Sequence, residues 1–488
     1  METWVVATSL IGVYLLITLG VAVVANRHMT VDMEDFLLCG RRTGFIVLYL
    51  TVVATYHSAF AFLGSGGFFF THGIGFWSAG AWTLLVGAAT YVIGTRIWAL
   101  GKAFGYITPA DLLADFYESE AVRVAVALVS VLFTILYIQV QALALGYIMD
   151  VATDGRVPFE IGVLIMLTVA VVHLMVGGLR AVYWTDVFQG AWMYVAIWAG
   201  ALVLSFELFG GPVELWQRVT SERPDMLTLP GPESFGIIFQ PHMMIRYYTA
   251  VDGKTLKLLG ATTPIYLMTL YIPAALVGLG GALVMPELES ADRVFPELLF
   301  QYAPAWLTGI ILAGAAAAAM STLDSILHAN MTVLTRDVYQ RYVARGKRQA
   351  HYVFVGRAIV FVLLGVAFAL SITESDLLVA IVTLSGAGAL QLMPAIVGVC
   401  FPGRRSLSRA GVLAGLGGGL VTLALTLPLN LGFALPWGAH PLGMHGGLWG
   451  LLVNTLLAVA VSAFTPGPSR ETVARVHGEV ERFVYDGE

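Results

Sequence analysis

Two short segments of this chain place oxygen-bearing side chains within long apolar runs. In the first, Ser321 and Thr322 follow an alanine run, and Asp324 and Ser325 come directly after them. Hydroxyl and carboxylate oxygens are the ligands that hard cations prefer. An isolated Ser-Thr pair more often bonds to carbonyls of its own helix, but an ionisable residue inside an apolar run favours a functional role. The segment therefore indicates a cation site, with bonding within the helix as the alternative.

The second segment combines polar residues with glycines. Residues 54–58 read Ala-Thr-Tyr-His-Ser, and 64–67 read Gly-Ser-Gly-Gly. This pattern suggests a helix that unwinds, and unwound carbonyls can bind a cation. The alternative is a helix contact in which the glycines allow close packing. The segment alone leaves both interpretations open.

A third polar point is Asp186, nine residues after Gly177. We expect Gly177 and Gly178 to form a tight turn, so that Asp186 lies where the next helix begins. Its simplest role is a carboxylate that the helix dipole favours at an N-terminus. An ion-binding role is the alternative.

The elements that must position these residues are membrane-spanning helices. Of the 488 residues, 58% are apolar and 12% are charged, with a mean hydropathy of +0.82. Soluble proteins carry about 25% charged residues, so an ordinary soluble enzyme and a disordered chain are excluded. Two distant cysteines exclude a disulfide scaffold or a Cys-rich zinc site. The formal charge of −5 and the scattered basic residues argue against a nucleic-acid partner.

Thirteen apolar runs are long enough to cross a bilayer, which takes about 20 residues. Their continuity predicts helices and excludes a membrane β-barrel. The first run is too long, and too poor in basic residues, for a signal peptide. We place the spans at 4–25, 44–71, 73–97, 124–149, 157–176, 187–209, 231–249, 258–285, 303–335, 353–373, 377–401, 410–428 and 446–465.

The basic residues predict the orientation. With the N-terminus outside, only Arg156, Arg218, Arg223 and Arg293 of the 26 Lys and Arg residues lie outside, and the other 22, Arg246 among them, lie inside. An excess of basic residues on the cytoplasmic side is the general rule. We therefore expect a multi-pass protein of the plasma membrane with a cytoplasmic C-terminus.

Pro241 interrupts the seventh span as the glycine cluster at 64–67 interrupts the second. Spans 2–6 and 7–11 then form two runs of five, which have opposite orientations because five is odd. This is the pattern of an inverted-repeat transporter with its site at two broken helices. The predicted divisions are the first span and inner loop (1–43), the first repeat (44–209), an outer loop (210–230), the second repeat (231–401), spans 12 and 13 (402–465) and a cytoplasmic tail (466–488).

Four segments, in order, resemble motifs of the sodium:solute symporter family, which includes proline, pantothenate, sugar, monocarboxylate and sialic acid transporters. They are 108–112 (Thr-Pro-Ala-Asp-Leu), 177–189 around Gly-Gly-Leu-Arg-Ala and Trp-Thr-Asp, 240–248 beginning Gln-Pro-His, and 320–325 (Met-Ser-Thr-Leu-Asp-Ser). The resemblance runs from about residue 30 to 430. It implies an all-α, leucine-transporter-type fold with ten core helices, one span before them and two after.

The resemblance also implies a sodium site between spans 2 and 9. Its ligands would be the backbone carbonyls of Ala54, His57 and Ala318 and the hydroxyls of Ser321 and Thr322. Some family members hold a second sodium, which here would lie at Asp186, Asp324 and Ser325.

Two features depart from the family pattern. Proline-transporting members have an Asp at the position of Tyr56, so a solute other than proline is expected. The apolar segment before Gln240 is also short, and the outer half of span 7 is therefore expected to be truncated.

We expect a carrier rather than an enzyme. No P-loop, GxSxG or HExxH motif occurs, so an ion gradient would supply the energy. The expected function is sodium-coupled import, by alternating access, of a small polar or anionic organic solute such as a monocarboxylate or an amino acid; no oligomer is required. The cavity candidates, each of which could instead bond between helices, are Thr55, Tyr56, Ser58, Tyr137, Gln141 and Gln391.

No Lys or Arg is expected at mid-membrane, so a broken-helix N-terminus would hold a solute carboxylate. Two alternatives share the fold. One is a proton-coupled carrier in which His57, Asp186 or Asp324 titrates. The other is a membrane solute sensor, for which a cytoplasmic signalling domain would be expected.

Overall fold

The computed structural model describes residues 2–26, 37–228, 240–373, 378–401, 406–426 and 441–484, apart from the side chains of 25–26, 78–82, 173–174, 176–181 and 443. Within this part of the chain the regular structure is helical, and β pairing is limited to an isolated bridge between Thr43 and Ala250. The all-α membrane fold predicted from the apolar runs is confirmed.

Nineteen α-helices lie within the described ranges. They are α1 Thr3–Asn26, α2 Phe45–Tyr56, α3 Ser65–His72, α4 Gly80–Ala89, α5 Thr95–Phe104, α6 Pro109–Phe116, α7 Glu120–Ala152, α8 Phe159–Phe209, α9 Pro212–Glu222, α10 Pro241–Thr249, α11 Gly253–Val284, α12 Val294–Tyr302, α13 Ala305–Val333, α14 Gln349–Ser371, α15 Leu378–Leu390, α16 Met393–Cys400, α17 Arg409–Thr426, α18 Gly446–Phe464 and α19 Arg470–Val484. Short π-helical segments follow or join several of them, at Phe60–Gly64, Thr90–Gly94 and Leu334–Val343.

The described helices account for eleven of the thirteen predicted spans. In the described residues, nine helical stretches are long and apolar enough to cross a membrane, and two bent pairs supply spans 2 and 11. The remaining two predictions, spans 5 and 7, correspond to the first part of α8 and to α10, respectively. The predicted shortening of span 7 concerns residues 231–239, which lie outside the described ranges. The bend of 42° between α15 and α16 was not predicted.

The tight turn predicted at Gly177 and Gly178 does not appear as an interruption of the helix. The backbone there is helical, within a single α8 of 51 residues that contains both predicted spans 5 and 6. Glycine adopts helical dihedral angles as well as turn conformations, so the pair by itself does not force a turn.

The contacts of α8 nevertheless show that its two halves are not collinear. Gly162, in the first half of α8, lies against Met149 of α7. Asp150, the next residue of α7, forms an ion pair with Arg293. Two residues further along the chain, Phe295 lies against Gly200 in the second half of α8. A straight helix at 1.5 Å per residue would put about 57 Å between Gly162 and Gly200. That separation exceeds the reach of this chain of contacts, so the helix must change direction between its halves.

Helix α13 lies at the centre of the bundle. In the most apolar 18-residue segment of Ala305–Val343, which contains α13, 94% is buried inside the protein. The small residues of the alanine run allow neighbouring helices to approach closely. A Cβ atom at Gly314, for example, would lie only 2.3 Å from the Cβ of Ala196 in α8. This packing brings the hydroxyl pair that follows the run against the broken second span.

The second span breaks at its polar residues. Helix α2 ends at Tyr56, His57 and Ser58 are non-helical, and the helical direction then changes by 54°. The predicted unwinding is confirmed, but the glycine cluster is not where it occurs, because 64–67 are helical. Gly67 instead permits close packing, since a Cβ atom there would lie 2.7 Å from Oδ1 of Asp292.

Candidate functional site

The hydroxyl pair of α13 faces carbonyls at the end of α2. Ser321 Oγ lies 3.2 Å from the carbonyl oxygen of Ala54, and Thr322 Oγ1 lies 3.1 Å from that of Thr55 and 3.5 Å from that of Ala54. Ser321 Oγ also lies 3.1 Å from the carbonyl oxygen of Ala318. Four of the five predicted sodium ligands are therefore in one buried cluster, to which Thr55 adds a carbonyl.

The spacing of these oxygens suits a shared cation. A hard cation of calcium's size binds oxygen at about 2.3–2.6 Å, so two ligands at a right angle would lie about 3.3–3.7 Å apart. The oxygens of Ser321 and Thr322 are 3.1–3.5 Å from their carbonyl partners. The fifth predicted ligand, His57, stands at the helix break, where the backbone turns away from α2. Ser321 also bonds to Ala318 within its own helix. At this residue, therefore, both the cation site and the bond within the helix remain compatible with the structure.

A buried ion pair lies one turn along α13. Arg246 Nη2 is 3.2 Å from Oδ2 of Asp186, and both side chains are closed to solvent. The same nitrogen donates to Ser325 Oγ at 2.5 Å and to Thr51 Oγ1 at 3.2 Å. Thr51 also donates a hydrogen bond to Asp186. One guanidinium thus joins α2, α8, α10 and α13.

One expectation about Arg246 is wrong. It was counted among the basic residues of the cytoplasmic side, and no Arg was expected at mid-membrane, but its side chain is buried inside the bundle. The structure places it within the bundle, where Asp186 offsets its charge and Thr51 and Ser325 accept further hydrogen bonds from Nη2. A count of basic residues by span cannot detect such pairing.

The predicted second sodium site is brought together only in part. Asp186 and Ser325 are bridged by the guanidinium of Arg246, and Asp324 is buried beside Ser325 on α13. In this structure a protein cation therefore neutralises Asp186. Sodium binding at the same carboxylate oxygen would require Arg246 to move. In the described residues, no cluster of three or more His, Cys, Asp or Glu could hold a metal ion.

The predicted cavity residues of the second span serve mainly to shape the break. Thr55 Oγ1 donates to the carbonyl of Thr51 within α2, and Ser58 Oγ accepts from the N–H of Phe60. Tyr56 is buried and hydrogen-bonds to Tyr247 of α10. These side chains are close to the site, but most of their hydrogen-bonding capacity is used.

Gln141 and Tyr137 of α7 lie beside the break. The side-chain oxygen of Gln141 accepts from the N–H of Ala59 at 3.0 Å, and its nitrogen donates to the carbonyl of Tyr137. Gln141 therefore satisfies backbone that the unwinding leaves free. The hydroxyl of Tyr137 is buried and lies near the side chain of Ser58 at the break.

Gln391 lies apart from the other candidates. Its side-chain nitrogen donates to the carbonyl of Gly447, and its oxygen accepts from Asn454, so it joins the bend between α15 and α16 to α18. Gln391 therefore bonds between helices, which was the alternative to a place in the cavity.

Two residues of the Gln-Pro-His segment, which were not among the predicted cavity residues, carry buried polar atoms without partners. His242 is 1% exposed, and neither of its ring nitrogens has a hydrogen-bond partner. Its ring centroid lies 5.9 Å from that of Tyr137. Gln240 donates to Ser385 of α15, and its side-chain oxygen is unpartnered. The signal was present, since Pro241 starts a helix at mid-membrane and a His and a Gln flank it.

The two broken spans are tied together on the side that the basic residues predict to be cytoplasmic, which we call the inner side. Thr43, just before α2, donates its N–H to the carbonyl of Thr249 and accepts from the N–H of Val251, each at 3.1 Å. The hydroxyls of Tyr183 and Thr249 are 2.9 Å apart. With the Arg246 ion pair, these bonds form a set of contacts at the inner ends of the helices, which we call the inner closure.

A profile of the sodium:solute symporter family matches residues 36–416. The chain belongs to the sodium:solute symporter family. Similar members are a sodium/pantothenate symporter of Haemophilus influenzae, 28% identical over 67% of this chain and 71% of the relative, and a sodium/proline symporter of Escherichia coli, 26% identical over 92% of each. A solved structure of a Na⁺-coupled sialic acid symporter covers 95% of this chain and 98% of its own, with a TM-score of 0.78 at 15% identity. That likeness confirms the fold expected from the family.

Proposed function

We propose that this chain is a sodium-coupled symporter that imports a small polar or anionic organic solute by alternating access. The proposal rests on one observation: the hydroxyls of Ser321 and Thr322 lie against backbone carbonyls at the break of span 2. The position of this cluster, between the first broken helix and the central helix, fits a site whose occupancy changes how the two pack. Two relatives are named as sodium symporters, which supports the choice of ion.

The solute would bind beside the sodium, where open polar atoms converge. His242 and the side-chain oxygen of Gln240 are buried and have no hydrogen-bond partners, which a solute could supply, and Tyr137 lies beside His242. Buried polar groups without hydrogen bonds are costly, so a ligand that satisfies them is favoured. The N-terminus of α10 points its dipole into the same region and favours a carboxylate. A carboxylate-bearing solute with further hydrogen-bonding groups fits this set.

The inner closure supplies the conformational step. In the closed form the bond between Thr43 and Thr249 holds the inner halves of spans 2 and 7 together, and the ion pair between Asp186 and Arg246 holds span 7 against α8. Release of sodium and solute to the cytoplasm requires these bonds to break. Each sodium that moves inward gains about 2.3 kcal/mol per 100 mV of membrane potential, a free energy that can be coupled to the uptake of solute.

A proton-coupled carrier is the alternative, and two buried histidines favour it. His57 lies at the break, where Tyr266 hydrogen-bonds to its Nδ1. His242 lies across the same region. Either imidazole could carry a proton in place of a sodium ion.

Uptake by the purified protein in proteoliposomes tests the proposal. Wild-type protein should accumulate one or more members of a carboxylate panel, amino acids and monocarboxylates included, when sodium is imposed outside. Potassium at the same concentration should not support accumulation. Accumulation driven by a pH gradient without sodium would instead establish the proton-coupled alternative. Transport that equilibrates the solute, regardless of any gradient, would contradict both.

A further inference from the structure

The C-terminal helix α19 packs on the inner ends of the bundle. One face of it is buried, through Thr472, Val476, His477 and Val480. His477 Nε2 lies 3.2 Å from the carbonyl oxygen of Val399 in α16. The apolar contacts and this bond tie the tail to the inner end of span 11.

Polar contacts fix the register of α19. Ser469 and Thr472 each donate a hydroxyl to Glu118, at 2.6 Å, and these bonds hold the pKa of Glu118 below its usual value. Arg475 pairs with Asp115 at 2.7 Å. Glu118 and Asp115 belong to the turn and helix that follow span 3, so the tail is held by this segment as well.

The last turn of α19 reaches a residue that contacts the inner closure. Phe483 packs edge-on against Trp98 of α5, with ring centroids 5.8 Å apart. Trp98 Nε1 donates to the carbonyl of Ala250 at 2.8 Å. Ala250 forms the isolated bridge with Thr43. A continuous series of contacts thus runs from the tail to the bond that joins spans 2 and 7.

We propose that α19 is part of the inner gate, and that Phe483 keeps the closure shut by holding Trp98 against Ala250. Trp98 is then a positioning residue, because it acts through the Ala250 backbone and touches neither ion nor solute. When the inner half of span 7 moves, Ala250 must leave either Thr43 or Trp98. A docked tail opposes that movement, and an undocked tail allows it. The inference rests on the proposed transport function, and it assigns a means of regulation to the same carrier.

The test measures opening of the closure directly. A thiol probe is placed at Thr249, which is fully buried, by Thr249→Cys in protein whose own cysteines are replaced by Cys39→Ser and Cys400→Ala. Labelling of the purified protein by a maleimide then reports how often the closure opens. Phe483→Ala and Trp98→Phe, which keeps an aromatic ring but removes the indole N–H, should each raise the labelling rate by about two- to tenfold, the range for one net hydrogen bond.

The double variant distinguishes a series of contacts from two separate ones. If Phe483 acts through Trp98, the two changes together should raise labelling no more than the larger single effect, since coupled residues are not additive. Glu481→Ala, at an exposed position on the same helix, is the matched control and should label like the parent. Unchanged labelling in Phe483→Ala, or additive effects in the double variant, would overturn the inference.

Sodium-driven uptake by the parent is measured in parallel. Labelling requires neither gradient nor solute, so it reports on the tail even if the uptake assay fails. Absence of sodium-driven uptake with tail-dependent labelling would remove the proposed function and leave the gate contact in place. Normal uptake with tail-independent labelling would do the reverse.

Discussion

The guanidinium of Arg246 lies 3.2 Å from the carboxylate of Asp186, inside a helix bundle that is closed to solvent at both residues. Two further bonds from the same nitrogen reach Thr51 and Ser325. Because the pair links both broken spans to the central helix, its integrity should affect both folding and the transport cycle. The two effects can be separated by removing one partner or both.

Asp186→Asn should destabilise the protein by about 3–5 kcal/mol, the usual cost of leaving one buried charge unpaired. Removing both charges, by Asp186→Asn with Arg246→Met, should restore most of that loss. Thermal unfolding of the purified variants in detergent measures the change. A single variant as stable as wild type would show that Arg246 is not a buried, paired charge in solution.

The same variants address sodium. If Asp186 binds the ion in another state of the cycle, Asp186→Asn should also raise the sodium concentration for half-maximal uptake, in protein that remains folded. Unchanged sodium dependence would restrict Asp186 to its ion pair with Arg246.

Two neighbouring glycines of α3 should respond oppositely to alanine. A Cβ atom at Gly67 would lie 2.9 Å from backbone atoms of Ala291, which cannot rotate away, whereas one at Gly66 has its nearest neighbour at 3.8 Å. Gly67→Ala should therefore destabilise by about 1–3 kcal/mol through overpacking. Gly66→Ala, the matched control, should be neutral or stabilising by up to about 1 kcal/mol, because alanine favours the helix. Thermal unfolding of both variants measures these changes in stability. Equal changes in the two variants would contradict the close packing at Gly67.

Asp292 should make stability depend on pH. Its carboxylate lies in the loop before α12 and accepts from the N–H of Leu378, and burial raises its pKa from 3.8 to about 6. Because the folded-state pKa is the higher one, the stability that this group contributes is complete below the unfolded-state pKa and is lost as pH rises through about 6.

Between pH 5 and pH 8, wild type should therefore lose about 1–2 kcal/mol relative to Asp292→Asn, at 1.36 kcal/mol per pKa unit. Glu289→Gln, which alters an exposed carboxylate of the same loop, should follow wild type. Parallel pH profiles for wild type and Asp292→Asn would show that the carboxylate is not buried as described.

His242 should matter to the solute rather than to the fold. His242→Phe keeps an aromatic ring but removes two buried nitrogens that have no partners, so stability should be unchanged or slightly increased. The solute concentration for half-maximal uptake should rise about tenfold, which corresponds to about 1.4 kcal/mol. His351→Phe, in the first turn of α14 and outside the site, is the control. Wild-type solute affinity in His242→Phe would remove this residue from the proposed solute site.

The spans and their order could be predicted because burial in lipid requires long apolar runs, and these are local properties of the sequence. The facing of Ser321 by the Ala54 carbonyl was reached through the family resemblance, and the structure brings these residues together. Composition and spacing alone left the pair open between a cation site and bonds within its helix. The unwinding of span 2 was predicted from the type of residue, but its position at His57 was not, because the glycines that suggested it serve a packing contact instead.

The residues whose contacts could not be foreseen from the sequence are those whose partners come from distant parts of the chain. Arg246 was assigned to the inner surface because its partner Asp186 is 60 residues away. Gln391 was proposed for the cavity because it follows small residues, but Asn454 and Gly447 of α18 bind it. The docking of the tail on Trp98 likewise has no local signal.

The central claim is that Ser321 and Thr322, with carbonyls of the broken second span, bind the sodium that drives transport. The most direct measurement is sodium-driven solute accumulation by the reconstituted Ser321→Ala, Thr322→Ala double variant beside wild type. Alanine is a good helix former, so α13 should remain folded, while the loss of two hydroxyl ligands should abolish accumulation or raise the required sodium concentration by more than about tenfold. Wild-type accumulation at wild-type sodium affinity would contradict the account, since hydroxyls that bond only within their own helix can be lost without effect on the ion.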